Sequence, residues 1–142
     1  MPLSQLIYAS SNHGQLSVSD IKQLVSDAEK ENKACEISGF MCANRHFFLQ
    51  CLEGKDSAID TLFRSISADP RHSKVTLLSH QKIEQRSFPD WGMGVVTKLE
   101  KHKKLLRELN HTENFDPHQF DDNGHLTFLK ALYDIQHGRD LS

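Results

Sequence analysis

Three polar side chains sit where apolar ones would be expected, and their types suggest a common purpose. Gln50 interrupts Phe47-Phe48-Leu49-Gln50-Cys51-Leu52-Glu53-Gly54, a run of aromatic and aliphatic residues closed by a glycine. A primary amide offers two donor hydrogens and an acceptor oxygen, and burying it unpaired costs about 1–3 kcal/mol. Gln50 is therefore either a core amide satisfied by neighbouring backbone or an amide facing a bound ligand. Tyr8, in Leu6-Ile7-Tyr8-Ala9, brings a phenol that could give or accept a proton. Asn32 brings a second amide, at the end of the row Ile21, Leu24, Val25, Ala28, Asn32. A further ionisable group, Asp69-Pro70-Arg71-His72, stands together at a helix exit.

The elements that position these residues follow from periodicity. Leu6–Ala9 alternates as a strand and ends in Ser10-Ser11-Asn12-His13-Gly14, which is turn chemistry. Ser17-x-x-Asp20 resembles a capping box opening a helix, and the row ending at Asn32 keeps helical spacing. Asn32 there is read either as a C-terminal cap or as a polar group aimed at the buried side.

Glu36–Ala43 and Phe47–Glu53 form a hairpin turning at Asn44-Arg45 and closed at Gly54. Alternation puts Phe48, Gln50 and Leu52 on one face and Phe47, Leu49 and Cys51 on the other. Both faces are apolar, as in a central strand covered on each side. A second helix starts near Asp56, with Ile59, Leu62, Phe63 and Ile66 on one face, and Pro70 stops it near Ala68.

Lys74–Ile83 and Trp91–Val96 are the remaining strands; in the latter Trp91, Met93 and Val95 share a face. A tail follows, with one helix through Leu99, Leu105, Leu106 and Leu109, a polar loop from Asn110 to Asn123, and a helix from Gly124 through Phe128, Leu132 and Ile135. The order βαββαββ predicts an α+β, ferredoxin-like mixed sheet with two helices on one face and the C-terminal helices on the other. Residues 1–97 are expected to form the binding domain and residues 98–142 a helical extension packed on the sheet.

Composition narrows the function. Seventeen basic against nineteen acidic residues give a net charge of −2, so no nucleic-acid partner is expected, and Lys98–Lys104 reads as a solvated helix face. No apolar run approaches the ~18–20 residues that span a bilayer, and no signal peptide is present, so neither membrane association nor export is expected. Cys35, Cys42 and Cys51 form no C-x-x-C pair and suit reduced thiols in the cytoplasm. His111, His118 and His125 recur every seven residues without ligand spacing, and no metal site is predicted.

Taken in order, seven segments resemble the BLUF domains, blue-light sensors that bind FAD. They are Leu6-Ile7-Tyr8-Ala9-Ser10, Asn32, Ile37-Ser38-Gly39, Phe48 to Gly54, Asp69-x-Arg71-His72, Arg86-x-Phe88 and Trp91-x-Met93. The resemblance covers about Leu6 to Val95 and implies a non-covalent flavin, FAD with FMN or riboflavin as alternatives, held between the two helices.

It implies Tyr8 and Gln50 as the photoactive pair, with Trp91 or Met93 beside Gln50. Asn32 would bond the O4/N3 side of the ring, and Arg71 would lie near its O2 side with Asp69 and His72. Ile37 and Ile66 would sandwich the ring, Leu24 would extend the apolar wall, and Ser38 supplies the hydroxyl of the family's Gly-Ile-Thr-Gly segment. Two departures stand out: Glu36 replaces the first glycine, and Glu31 stands where the family often has a neutral polar residue or histidine. Glu31 is left out of the expected site.

The implied function is a sensor rather than an enzyme, signalling to a separate protein partner or through a homo-oligomer, as the small stand-alone members do. Two rival readings are a flavin-dependent reductase, for which no glycine-rich dinucleotide fingerprint is found, and a flavin-free ferredoxin-like binding module.

Overall fold

The computed structural model describes residues 3–12, 16–70, 73–89, 92–121 and 123–137, with the side chains of 92–94 set aside. Five strands and two helices make the sheet layer: β1 (Leu3–Ser11), α1 (Val18–Ala34), β2 (Ser38–Ala43), β3 (Phe47–Lys55), α2 (Asp56–Ala68), β4 (Ser73–Ile83) and β5 (Gly92–Val96). A 3₁₀ turn at Leu99–His102, α3 (Lys103–Leu109) and α4 (Gly124–Gln136) follow. The strand order is β4-β1-β3-β2-β5, with β5 parallel to β2 and the other pairs antiparallel. This is the ferredoxin-like arrangement extended by one edge strand.

The sheet carries a core on each face, as the two-sided apolar pattern of β3 requires. On one side Leu6, Tyr8, Met41, Phe48 and Leu52 meet Ile21, Leu24 and Val25 of α1 and Ile59 of α2. On the other, Ile7, Phe40, Cys42, Leu49 and Cys51 meet Leu106 of α3 and Phe128, Leu129, Leu132 and Tyr133 of α4. Phe88 closes this second core, stacking on Phe40 with ring centroids 5.6 Å apart.

Local chemistry sets the ends of α1. Ser17 accepts from the Asp20 backbone, and the Asp20 carboxylate accepts from the Ser17 backbone, completing the capping box. At the other end the Glu36 N–H bonds Lys33 O and the Ile37 N–H bonds Asn32 O, the paired bonds of a Schellman motif. The residue after the cap must then be left-handed, and Glu36 has φ of 57°. The cap residue is Cys35, so Asn32 is one turn inside the helix rather than its cap.

Three expectations change in detail. Gly54 does not close the β2–β3 hairpin; it lies inside β3, where a Cβ would come within 3.2 Å of Ile37 and 3.3 Å of the Glu36 carbonyl. The turn falls one residue later than Asn44-Arg45, on Arg45-His46, because Ala43 pairs with Phe48 and the Asn44 N–H bonds the Phe47 carbonyl. The Asn44 side chain closes it, accepting from the His46 and Phe47 backbone and donating to the Phe115 carbonyl in the tail. The first tail helix begins as a 3₁₀ turn before α3, a common way for a helix to start.

Candidate flavin cleft

β1 and β3 pair so that Tyr8 and Gln50 stand directly opposite. Both therefore face α1 and α2, and the Tyr8 hydroxyl donates to Gln50 Oε1. Tyr8 is fully buried and Gln50 5% exposed. Burial, with the Asp69 carboxylate adding to it, pushes the Tyr8 phenol far above its ordinary range. Tyr8 is thus a neutral proton donor throughout the physiological range.

The same transverse row continues outward. Met41 of β2 lies opposite Gln50, and Val95 of β5 pairs with Met41. The Val95 carbonyl accepts from Gln136 Nε2 of α4 at 3.1 Å. One row of the sheet therefore joins the Tyr8–Gln50 pair to the tail.

Gln50 opens into a cleft of about 70 Å³ between the helices, lined by Leu24, Asn32, Met41, Leu62, Ile66 and Asp69 among others. Beside it runs an open groove of about 580 Å³ that shares Glu31, Asn32, Leu62 and Ser65 and adds Ile37 and Ala58. Asn32 belongs to both. It is 1% exposed, and among the described residues neither Oδ1 nor Nδ2 has a hydrogen-bond partner. Such an amide carries the full cost of desolvation unless something else supplies a donor and an acceptor. A ring with adjacent carbonyl and N–H groups, as in the uracil-like edge of a flavin, supplies both. The residues present fit that group.

Most residues singled out in the sequence come together here: Tyr8 at the floor, Gln50, Asn32, Leu24, Ile66 and Asp69 around the cleft, Ile37 in the groove. Ser38 does not. It alternates with Ile37 and shares the face of Phe40 and Cys42, and its hydroxyl accepts from Arg86 Nη1 at 2.7 Å. Arg71, His72 and Trp91 lie outside the described residues, as does the side chain of Met93.

Sequence reasoning missed Met41 beside Gln50 and the place of Glu31 in the lining of both cavities. It also gave no role to Glu53 and Arg86. The buried Glu53 carboxylate accepts from Gln5 Nε2 and from the backbone of Ser87 and Phe88. Arg86 also donates to the carbonyls of Glu53 and Glu36. Together they fasten the segment after β4 to the ends of β2 and β3.

A family profile described as "Sensors of blue-light using FAD" (BLUF) matches residues 3–94. The chain belongs to the BLUF family. It is 33% identical over 93 residues to the photoactivated adenylate cyclase subunit beta of Euglena longa. That match covers 64% of this chain and 11% of the cyclase subunit, so the chain spans about a tenth of that relative's length.

Among solved structures, the dark state of the BLUF protein BlrB has 32% identity and a TM-score of 0.76, over 95% of this chain and 97% of BlrB. The photo-activated state of BlsA has 27% identity and a TM-score of 0.81, over 92% and 94%. Residues 3–94 accordingly form a domain of the BLUF type. No helix among the described residues is long and apolar enough to cross a membrane.

Proposed function

We propose that the chain binds FAD in the α1–α2 cleft and reports blue light through Tyr8 and Gln50 to a separate protein or to further copies of itself in the cytoplasm. The observation that carries this is the unpartnered Asn32 amide beside the Tyr8–Gln50 hydrogen bond. A bound flavin supplies the light absorption and an electron-accepting excited state.

The chain's own residues do the rest. Tyr8 is placed to lose an electron, and its proton then leaves along the bond to Gln50 Oε1. Rotation and tautomerisation of the Gln50 amide both exchange which end donates, so the amide presents a changed edge to the cleft. Asn32 holds the ring edge, Ile37, Leu24 and Ile66 wall it, and Asp69, with Arg71 and His72 beside it in sequence, guards the exit of α2. Met41 is the residue on which a turned Gln50 bears first. A shift there passes through Val95 to Gln136, so the tail is the proposed output surface.

The photosensor reading needs no turnover. The test is the flavin itself: protein purified in the dark, heated to release its ligand and chromatographed, should yield FAD. A colourless protein from flavin-replete cells would favour the flavin-free binding module, and steady NADH oxidation the reductase.

A further inference from the structure

The cleft offers a ring its hydrogen bonds, and the charged residues described along its rim are acidic. Asp27 and Glu31 of α1 and Asp69 at the end of α2 line the deeper cavity, and Glu31 lines the adjoining groove as well. Among the described residues lining either cavity there is no lysine, arginine or histidine. On the same helices Lys33 is paired with Glu29 at 3.0 Å and Arg64 with Asp60 at 3.1 Å. Next to Glu31 in sequence stands Asn32, buried and without a partner among the described residues, which marks these cavities as a ligand site rather than an acidic surface.

We propose that Glu31 makes this cleft discriminate against phosphate on the flavin's side chain, so that binding reads the ring and disfavours the charged tail. The inference rests on the flavin reading above. Glu31 is the one charged lining residue common to both cavities, so a tail leaving by either route passes it. A phosphate monoester carries about −1.5 to −2 charges near neutral pH. At a separation of about 8 Å in water, repulsion between such a charge and one carboxylate corresponds to about a fivefold difference in affinity. The screening length falls from about 10 Å at 0.1 M salt to about 3 Å at 1 M, which removes most of the difference.

Riboflavin and FMN share ring and ribityl chain and differ only in the phosphate, so they isolate the effect. Full-length protein with its bound flavin is equilibrated in the dark with equal excesses of both, and the flavin retained through gel filtration is identified by chromatography. Glu31 is an exposed helix position, and glutamine and lysine are comparable helix formers, so Glu31→Gln and Glu31→Lys leave folding untouched. The retained FMN-to-riboflavin ratio should rise about fivefold in Glu31→Gln and further in Glu31→Lys at low salt. Wild type at 1 M salt should move the same way. A ratio that neither substitution moves, or a loss of both flavins together, overturns the proposal. A protein that retains neither flavin in any form defeats the flavin reading itself.

Discussion

At the scale of single residues, the account turns on which polar groups the fold satisfies and which it leaves to a ligand. Tyr8 and Gln50 satisfy each other in part, so their substitutions should spare binding and remove the response. Tyr8→Phe keeps the ring's volume and deletes the donor, and Gln50→Ala deletes the amide that changes its edge. Each variant should hold flavin and show no light-induced spectral change; a normal response in either would remove that residue from the pair.

Asn32 is the opposite case. Asn32→Leu removes an amide with no partner among the described residues, so the flavin-free protein should unfold about 1–3 kcal/mol less readily in urea while flavin affinity falls about tenfold. A core amide held by the protein would give lower stability and unchanged affinity.

Asn32 was legible because its spacing continued an apolar row, and Tyr8 and Gln50 because each broke an apolar face. Ser38 was misplaced because motif membership says nothing about which face a strand residue takes. Its neighbours Phe40 and Cys42 decide that, and they lie in the opposite core.

At the scale of elements, periodicity found both helices and the sheet strands, most clearly β1, β2 and β3, whose residues are almost all buried. It missed what depends on where the turn falls. A two-residue turn at Asn44-Arg45 would pair Ala43 with His46 and set Gly39 opposite Gln50. The Asn44 side chain instead holds the turn on Arg45-His46, the register moves by two, and Met41 takes that place. A shift of two preserves the faces, which is why the core was legible and the cross-strand partner of Gln50 was not.

The end of α1 gives a further expectation. The family's glycine is replaced by Glu36 at the left-handed position of the Schellman motif, where a side chain costs about 1 kcal/mol. Glu36→Gly should therefore raise the thermal midpoint, with flavin binding and spectrum unchanged. An unchanged or lower midpoint would mean that Glu36 makes compensating interactions.

At the scale of the whole molecule, the tail is half of a core rather than an appendage. Leu99, Leu106, Phe115, Phe128, Leu129, Leu132 and Tyr133 are all buried against the sheet. Each such side chain contributes roughly 1.5–3 kcal/mol by burial, and net stabilities are about 5–15 kcal/mol, so removing residues 98–142 would unfold the protein before it reported on signalling. A single contact is the sharper probe. Gln136→Ala breaks only the bond to the Val95 carbonyl. The spectral response should persist, while any light-dependent change in association, followed by analytical ultracentrifugation in the dark and under blue light, should weaken. Unchanged light-dependent association would place the output surface elsewhere.

The central claim, that Tyr8 and Gln50 form a light-driven switch around a bound flavin, is tested most directly by one measurement. The visible absorption spectrum of the full-length purified protein is recorded in the dark, under blue light, and again after return to darkness. The account predicts the bands of an oxidised flavin, displaced to longer wavelength by light and restored without it. A flavin spectrum that light leaves in place, or only bleaches, would contradict it.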